Sequence, residues 1–573
     1  MRAQSLPSPG TLTKTILLVI GLAFELPDIA ARVATLGLSF SLLLYASLYC
    51  GLAACLWGAA FIRRPILRWG WALLFALAAI LIGSFQGAIG DAMSYDAFVT
   101  MIYSAGFADD AAAQYSAAIA WSSAAAFFLL LGVGLKPRGR APIPGIVAML
   151  APVLGLAMLT LLLFVRGGEG GRGLPNAWVG MAYSALAAFE AATQPSAARQ
   201  SVTIAHGPSK QQGDIVLIID ESIAGRYLDI NDPAGVRSGL LSPPTGVTVS
   251  NFGLAASITH CSFGSNLTLR HGGTRDAYHR INATMPSIFA YAKQAGFATT
   301  YIDAQRTGGA YQNGMDDSER RQIDHFVQFG DTAVVDRDMA AADALIAALG
   351  NERRDFVLIN KMGAHFPVAD KYPDSARIFA PTLPRNEAAA VTETQLPENL
   401  YSGAESWRLY RNSYRNTVAW TVGDFFDRLF ARARLDGALI IYTSDHGQNL
   451  HERGDAGTTT HCSPSPASEE GSVPLAIIDT SGRWDDAARR SFDASSHYRI
   501  FPTLLNAMGY DPAAVRRQYG EALDSPLADP ATFNSLFNAR LGRKPIWIEV
   551  KRSKVSRPPA SDYAPRKYGI APR

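Results

Sequence analysis

Apolar residues are spread unevenly along the chain, and their spacing changes character part-way. Four stretches, at 36–62, 67–89, 117–135 and 144–165, are apolar over lengths that reach the roughly 20 residues a helix needs to cross a bilayer. A fifth, at 12–31, is interrupted by Glu25 and Asp28. After residue 213 the long stretches give way to short apolar runs at 214–219, 298–302, 356–360, 438–443 and 474–478. Helix-like stretches, for example 285–295, 338–349, 409–432 and 497–508, separate them. Short apolar runs rich in β-branched residues read as buried strands. Their alternation with helices predicts a mainly parallel sheet covered by helices.

The chain has 573 residues, too many for one ordinary soluble domain, and 48% are hydrophobic. Its net charge is only +3, so nothing argues for a nucleic-acid partner. Lys and Arg set the expected orientation. If five spans are counted, Arg2 and Lys14, then Arg63, Arg64 and Arg68, then Lys136, Arg138 and Arg140 all fall on one side. The alternate loops are mainly acidic, with Glu25, Asp28, Asp91, Asp96, Asp109 and Asp110, and Arg32 and Arg166 are isolated exceptions. A cleaved signal peptide is the alternative for the first segment, but no convincing small-residue cleavage site precedes the next span. Residues 1–166 are therefore expected to form a five-span α-helical membrane domain with a cytoplasmic N-terminus. Within it, 91–114 reads as an interfacial helix, with a plain loop as the alternative. Residues 167–213 read as a linker with a flexible joint at 167–173 and a bridging helix at 176–192. Residues 214–550 read as an exported α/β domain with a loop or insertion at 381–403. Residues 551–573 read as a basic, proline-containing surface tail.

Chemistry gathers at strand ends, where open α/β sheets place their sites. Run 438–443 is followed by Ser444-Asp445-His446-Gly447, which delivers a carboxylate and an imidazole, both good zinc ligands. Run 214–219 is followed by Asp220 and Glu221. Thr259 lies in a hydroxyl-rich segment, Ser257 to Ser262, before an expected helix. His365 follows run 356–360, and His461 follows Asp445-His446 at a distance. Singly, each has a bland reading: a solvated acid, a helix cap, a surface or core histidine. Their grouping at strand ends points to a site.

Together these motifs resemble the membrane-anchored phosphoethanolamine transferases of the alkaline-phosphatase and sulfatase-like superfamily. The matching features are Glu221 at a strand end, Thr259 through Ser262 as Thr-x-x-Ser, and Gly363 through His365 as Gly-x-His. Ser444 through Gly447 as Ser-Asp-His-Gly, the later His461, and the five-span architecture match as well. The resemblance implies an alkaline-phosphatase-like fold and Zn2+ held by Glu221, Thr259, Asp445 and His446. It implies Thr259 as nucleophile, with His365 and His461 beside the substrate phosphate. The implied reaction moves phosphoethanolamine from phosphatidylethanolamine to a membrane-associated glycan or lipid A-type acceptor through a phospho-threonine intermediate. The implied location is a bacterial inner membrane with a periplasmic catalytic domain. Phosphoglycerol transfer from phosphatidylglycerol is an alternative, and so is a sulfatase-like hydrolase. The sulfatase Cys/Ser-x-Pro-x-Arg motif is not matched by Cys261-Ser262-Phe263-Gly264-Ser265. If the implied site assembles, Cys261 and Cys462 converge and could form one bridge; two free thiols are the alternative.

Overall fold

The computed structural model describes residues 9–103, 115–137, 142–193, 198–209, 211–305, 314–385, 404–454 and 459–560. These fall into two compact units. One comprises Met1–Pro195 with Asn538–Lys544, and the other Ser196–Phe537 with Pro545–Arg573.

The first unit is helical: α1 (Pro9–Ala23), α2 (Leu26–Leu36), α3 (Phe40–Ala59), α4 (Pro65–Ile89), α5 (Tyr95–Tyr103), α6 (Ser116–Gly134), α7 (Gly145–Val165) and α8 (Asn176–Thr193). Helices α3, α4, α6 and α7 are long and apolar enough to cross a membrane, and they match the four expected stretches. The fifth stretch, 12–31, is not one helix. Glu25 stands at the junction of α1 and α2, Pro27 opens α2, and Glu25 Oε1 accepts from Asn176 N at 3.1 Å. The 15 residues of α1 rise only about 22 Å, so a five-span count does not follow from helix length. Even so, α1 runs along α6. Lys14 Nζ donates to the carbonyls of Gly132 and Val133 at 2.8 and 3.1 Å, and at the far end the rings of Phe24 and Trp121 lie 4.7 Å apart. Midway, a Cβ on Gly21 would collide with Leu129. The expected interfacial segment 91–114 is represented by α5, and 104–114 lies outside the described residues. The expected bridging helix is α8, which is buried within its unit from Asn176 to Tyr183.

The second unit is built on an eight-stranded sheet. Its strands are β1 (Ile215–Asp220), β2 (Thr248–Ala256), β3 (Ala298–Asp303), β4 (His325–Gln328), β5 (Asp355–Asn360), β6 (Leu439–Ser444), β7 (Ser472–Asp479) and β8 (Ser495–Ser496). They are ordered β4-β3-β5-β1-β6-β7-β2-β8. The first five in that order are mutually parallel, while β7 runs antiparallel to both β6 and β2. Strand side chains alternate between faces, and both faces are covered. Val216, Ile218, Val357, Ile359 and Ile440 enter one core, with helices 337–349 and 404–418. Ile215, Leu217, Leu358, Leu439 and Ile441 enter the other, with helices 288–294 and 500–508. That two-sided burial is why these strands read as continuous apolar runs.

All five expected strands are present, with bounds moved by two residues or fewer. Strands β2, β4 and β8, and the hairpin β9 (Thr532–Asn534) with β10 (Trp547–Glu549), were not expected. The insertion at 381–403 lies mostly outside the described residues, as does 561–573. The first part of the basic tail is not loose: Arg557 pairs with Asp232, Arg552 with Asp493, and Ser556 N donates to Glu469.

Candidate metal centre

Sheet register builds the centre. In β1 and β6, Asp220 is paired with Ser444, so the next residues, Glu221 and Asp445, leave adjacent strands side by side. On the other side of β1, Asn360 of β5 is paired with Ile219, and the chain then turns through Gly363 to His365. Gly363 has φ +50°, and a Cβ there would lie 2.5 Å from the Glu221 carbonyl, so this turn needs glycine. Strand β2 runs in the same sense as β6 and ends at the same sheet edge, delivering 257–262. There α9 (Ser262–His271) begins.

Ligand atoms of Glu221, Asp445 and His446 all lie within 4.8 Å of one another, and the three side chains are buried. His446 Nδ1 donates to the Gly447 carbonyl at 2.8 Å. Its Nε2 faces Glu221 Oε1 at 3.3 Å and Asp445 Oδ2 at 3.7 Å, the orientation in which a metal-binding imidazole presents its ligating nitrogen. Asp445 Oδ1 accepts from the backbone N–H groups of Ser222 and His446 at 3.0 and 2.7 Å. Among the described residues, its Oδ2 is buried with no donor at hydrogen-bonding distance. Two carboxylates and one imidazole around an unsatisfied, buried oxygen suit a divalent cation. Glu221 is steadied by Ser222 Oγ at 2.7 Å and by Gln305 Nε2 at 3.1 Å.

Burial works to raise the Glu221 carboxyl, but the hydrogen bond and charge of His446 outweigh it and hold the group well below the usual range. Burial, then the neighbouring Glu221 charge, pushes Asp445 well up. His446 is pushed up to about 10: burial opposes this, and the Asp445 charge and the Glu221 bond overcome it. Burial, then the His446 charge, holds His461 well below the ordinary histidine range.

The six expected site residues do not all meet. The His461 ring stacks on His446, with centroids 4.5 Å apart. His365 is half-buried and near enough for its charge to bear on Glu221 and His461. Thr259 is 2% exposed, and its Oγ1 faces His260 Nδ1 at 3.4 Å. Within the 257–262 segment, the hydroxyl seen to reach the cluster is Ser262 Oγ, 3.2 Å from both Glu221 oxygens and 3.2 Å from His446 Nε2. Cys261, one residue earlier, is joined to Cys462 with Cα atoms 5.1 Å apart.

Behind the cluster, Lys361 Nζ donates to Asp220 Oδ2 at 2.8 Å, and Tyr442 donates to the same oxygen at 3.0 Å. Asp338 accepts from Met362 N and Gly363 N at 2.7 and 2.9 Å, which fixes the turn before His365. Sequence reasoning did not single out Gln305, Lys361 or Asp338. Gln305 and Lys361 do stand just past strand ends, a signal that could have flagged them.

The sulfatase family model matches residues 214–510. The chain belongs to the sulfatase family. Among curated proteins, it is 26% identical over 258 residues to a Kdo(2)-lipid A phosphoethanolamine 7''-transferase of Escherichia coli K12, covering 42% of each chain. It is 26% identical over 226 residues to the enzyme of that name from Salmonella typhimurium, covering 38% of this chain and 36% of that one. The chain thus spans about two fifths of the length of the curated relatives it matches. Among solved structures, the integral membrane lipooligosaccharide phosphoethanolamine transferase A (EptA) of Neisseria meningitidis superposes with a TM-score of 0.55 at 15% identity. The match covers 87% of this chain and 96% of that one, a likeness of fold. The C-terminal periplasmic domain of EptC from Escherichia coli, in complex with Zn, gives a TM-score of 0.46 at 15% identity over 62% of this chain and 97% of that one.

Proposed function

We propose that this sulfatase-family chain is a zinc-dependent transferase that moves phosphoethanolamine from phosphatidylethanolamine to a membrane-associated glycan or lipid A-type acceptor. The observation that carries the reading is the buried Glu221–Asp445–His446 cluster at the start of α9, in a chain whose described residues include four membrane-length helices. The named activity of the curated relatives supports the choice of headgroup.

Glu221, Asp445 and His446 would hold the cation, which would supply positive charge to the phosphate and the attacking oxygen. A side-chain hydroxyl of the 259–262 segment attacks phosphorus and becomes a covalent phospho-ester, and the acceptor hydroxyl then displaces it. His365 and His461 lie beside the phosphate and stabilise charge on the departing oxygen. Membrane attachment keeps the catalytic unit at the surface where both the lipid donor and the glycolipid acceptor reside, which raises their effective concentration.

In this reading α1 is a fifth crossing. Its course along the length of α6, from Gly132 to Trp121, supports it, as do the basic clusters that fall on one side when five spans are counted. The catalytic unit is then periplasmic, a compartment that permits the Cys261–Cys462 bridge. The deciding experiment supplies labelled phosphatidylethanolamine or phosphatidylglycerol with lipid A to the full chain in detergent, with and without Zn2+. Transfer of phosphoethanolamine that requires Zn2+ is expected. Transfer from phosphatidylglycerol alone would replace the donor, and release of sulfate from sulfate esters without transfer would replace the reaction.

A further inference from the structure

The geometry points to Ser262, rather than Thr259, as the hydroxyl that takes up the phosphoryl group. This inference rests on the transfer reading above and names the residue that performs its covalent step.

Three observations separate the two hydroxyls. The first is contact. Ser262 Oγ touches both Glu221 oxygens and His446 Nε2 at 3.2 Å, whereas Thr259 Oγ1 is turned to His260 Nδ1. His260 Nε2 lies 3.1 Å from the Ser463 carbonyl, a contact that puts the ring proton on Nε2 and leaves Nδ1 to accept from Thr259. The second is access. Thr259 is 2% exposed, while Ser262 is half-buried. A headgroup phosphate attached to two acyl chains cannot reach a sealed hydroxyl.

The third is the role each residue already plays in the fold. The Thr259 backbone is locked from several sides. Its carbonyl accepts from Ser257 Oγ and Ser265 Oγ at 2.7 and 3.1 Å, and its backbone bridges to Asn534. Those bonds make Thr259 a clasp between β2 and α9. Ser262 is the first residue of the ten-residue α9, so negative charge building on its phosphoryl group meets the positive end of that helix. Ser222 Oγ also touches Glu221, but that residue is 1% exposed and its N–H holds Asp445, which leaves it no approach to substrate.

The chemistry balances. Ser262 Oγ bonds to phosphorus and its hydroxyl proton leaves to water. The bond from phosphorus to the diacylglycerol oxygen breaks, and that oxygen takes a proton from water. In the second half, the acceptor hydroxyl bonds to phosphorus with loss of its proton, the Ser262–phosphorus bond breaks, and Ser262 regains a proton.

The test incubates the full chain, loaded with Zn2+ in detergent, with phosphatidylethanolamine and no acceptor. The chain is then quenched in acid and the 257–270 region is sequenced by tandem mass spectrometry. A phosphoethanolamine adduct on Ser262 is expected. It should persist on Ser262 in Thr259→Val and vanish in Ser262→Ala, with zinc content and thermal midpoint of Ser262→Ala kept near wild type. Ser262→Cys provides a second variant, in which the adduct moves to sulfur or is lost but does not appear on Thr259. An adduct on Thr259, or one that survives in Ser262→Ala, overturns the assignment and leaves phosphoethanolamine transfer standing. A phosphoglycerol adduct on Ser262 from phosphatidylglycerol keeps Ser262 and overturns the donor. No adduct from either lipid overturns both.

Discussion

Glu319 offers a test of how the last turn of α9 is held in place. Helix α9 carries Ser262 at one end and Arg270 and His271 at the other, and both of these reach Glu319. Arg270 Nε donates to Glu319 Oε1 at 2.8 Å, and His271 Nε2 lies 3.2 Å from Oε2. Glu319 is 1% exposed. Burial alone would raise its carboxyl, but the charges of Arg270 and His271 outweigh it and hold the group at about 2, against an ordinary 4.5. That difference corresponds to about 3 kcal/mol of folding stability near neutral pH, the same order as the ~3–5 kcal/mol lost when one partner of a buried ion pair is removed. Glu319→Ala should therefore lower the thermal midpoint of the full chain in detergent by several degrees at pH 7, read by intrinsic fluorescence.

Glu319→Gln isolates the charge. The folded-state value is depressed, so the contribution is complete above the unfolded value and is lost as pH falls through the folded one. The gap between wild type and Glu319→Gln should be steady from pH 7 to pH 5 and shrink to about two fifths by pH 3. A loss equivalent to less than about 1 kcal/mol for Glu319→Ala, or a gap that does not narrow at pH 3, would refute the argument.

Three further outcomes are expected. Chelation should strip the ion and lower the thermal midpoint, Zn2+ should restore both, and Asp445→Asn or His446→Ala should cut bound metal by about tenfold or more; retention of stoichiometric metal in either variant, by elemental analysis, would contradict the ligand set. Opening the Cys261–Cys462 bridge, by reductant or by Cys462→Ala, should cost up to about 5 kcal/mol on the chain-entropy account of so long a loop, and peptide mapping that finds both thiols free would remove the effect. A reporter fused after Gly213 should be active only outside the cytoplasm, and cytoplasmic activity would overturn five crossings.

Much of the second unit was legible because a sheet buried on both faces writes itself as apolar runs. Ile215 through Ile219 and Leu439 through Tyr442 are fully buried, and the chemistry follows each run directly. Strand β2 was not legible, although it carries the hydroxyl segment. Thr248–Ala256 mixes Ser250, Asn251 and Gly253 into the run, and its pairing with β7 shifts between Asn251 and Leu254. Gly253 takes φ +75° there, and Asp493 Oδ1 accepts from Leu254 N at 2.7 Å, a side-chain bond that no periodicity encodes. Which of two hydroxyls three residues apart faces the cluster was equally hidden, because it depends on where α9 begins. The membrane stretches were plain, and only the break at Glu25 and Pro27 blurred the count. The anchors of the tail past 550, Asp232, Asp493 and Glu469, lie far away in sequence, so its surface-tail reading could not include them.

Helix α9 is fastened at both ends, by Cys261 to Cys462 before its first residue and by Arg270 and His271 to Glu319 at its last turn. A hydroxyl mounted on such a rod does not have to be ordered anew in each turnover; its entropy is spent once, during folding. The consequence reaches to divergence among relatives. Under the proposed function, a lineage that keeps the rod and the Glu221–Asp445–His446 cluster is free to vary the surface around the site. On that proposal it could then shift from one acceptor hydroxyl to another by ordinary surface substitution, without disturbing the cluster beneath.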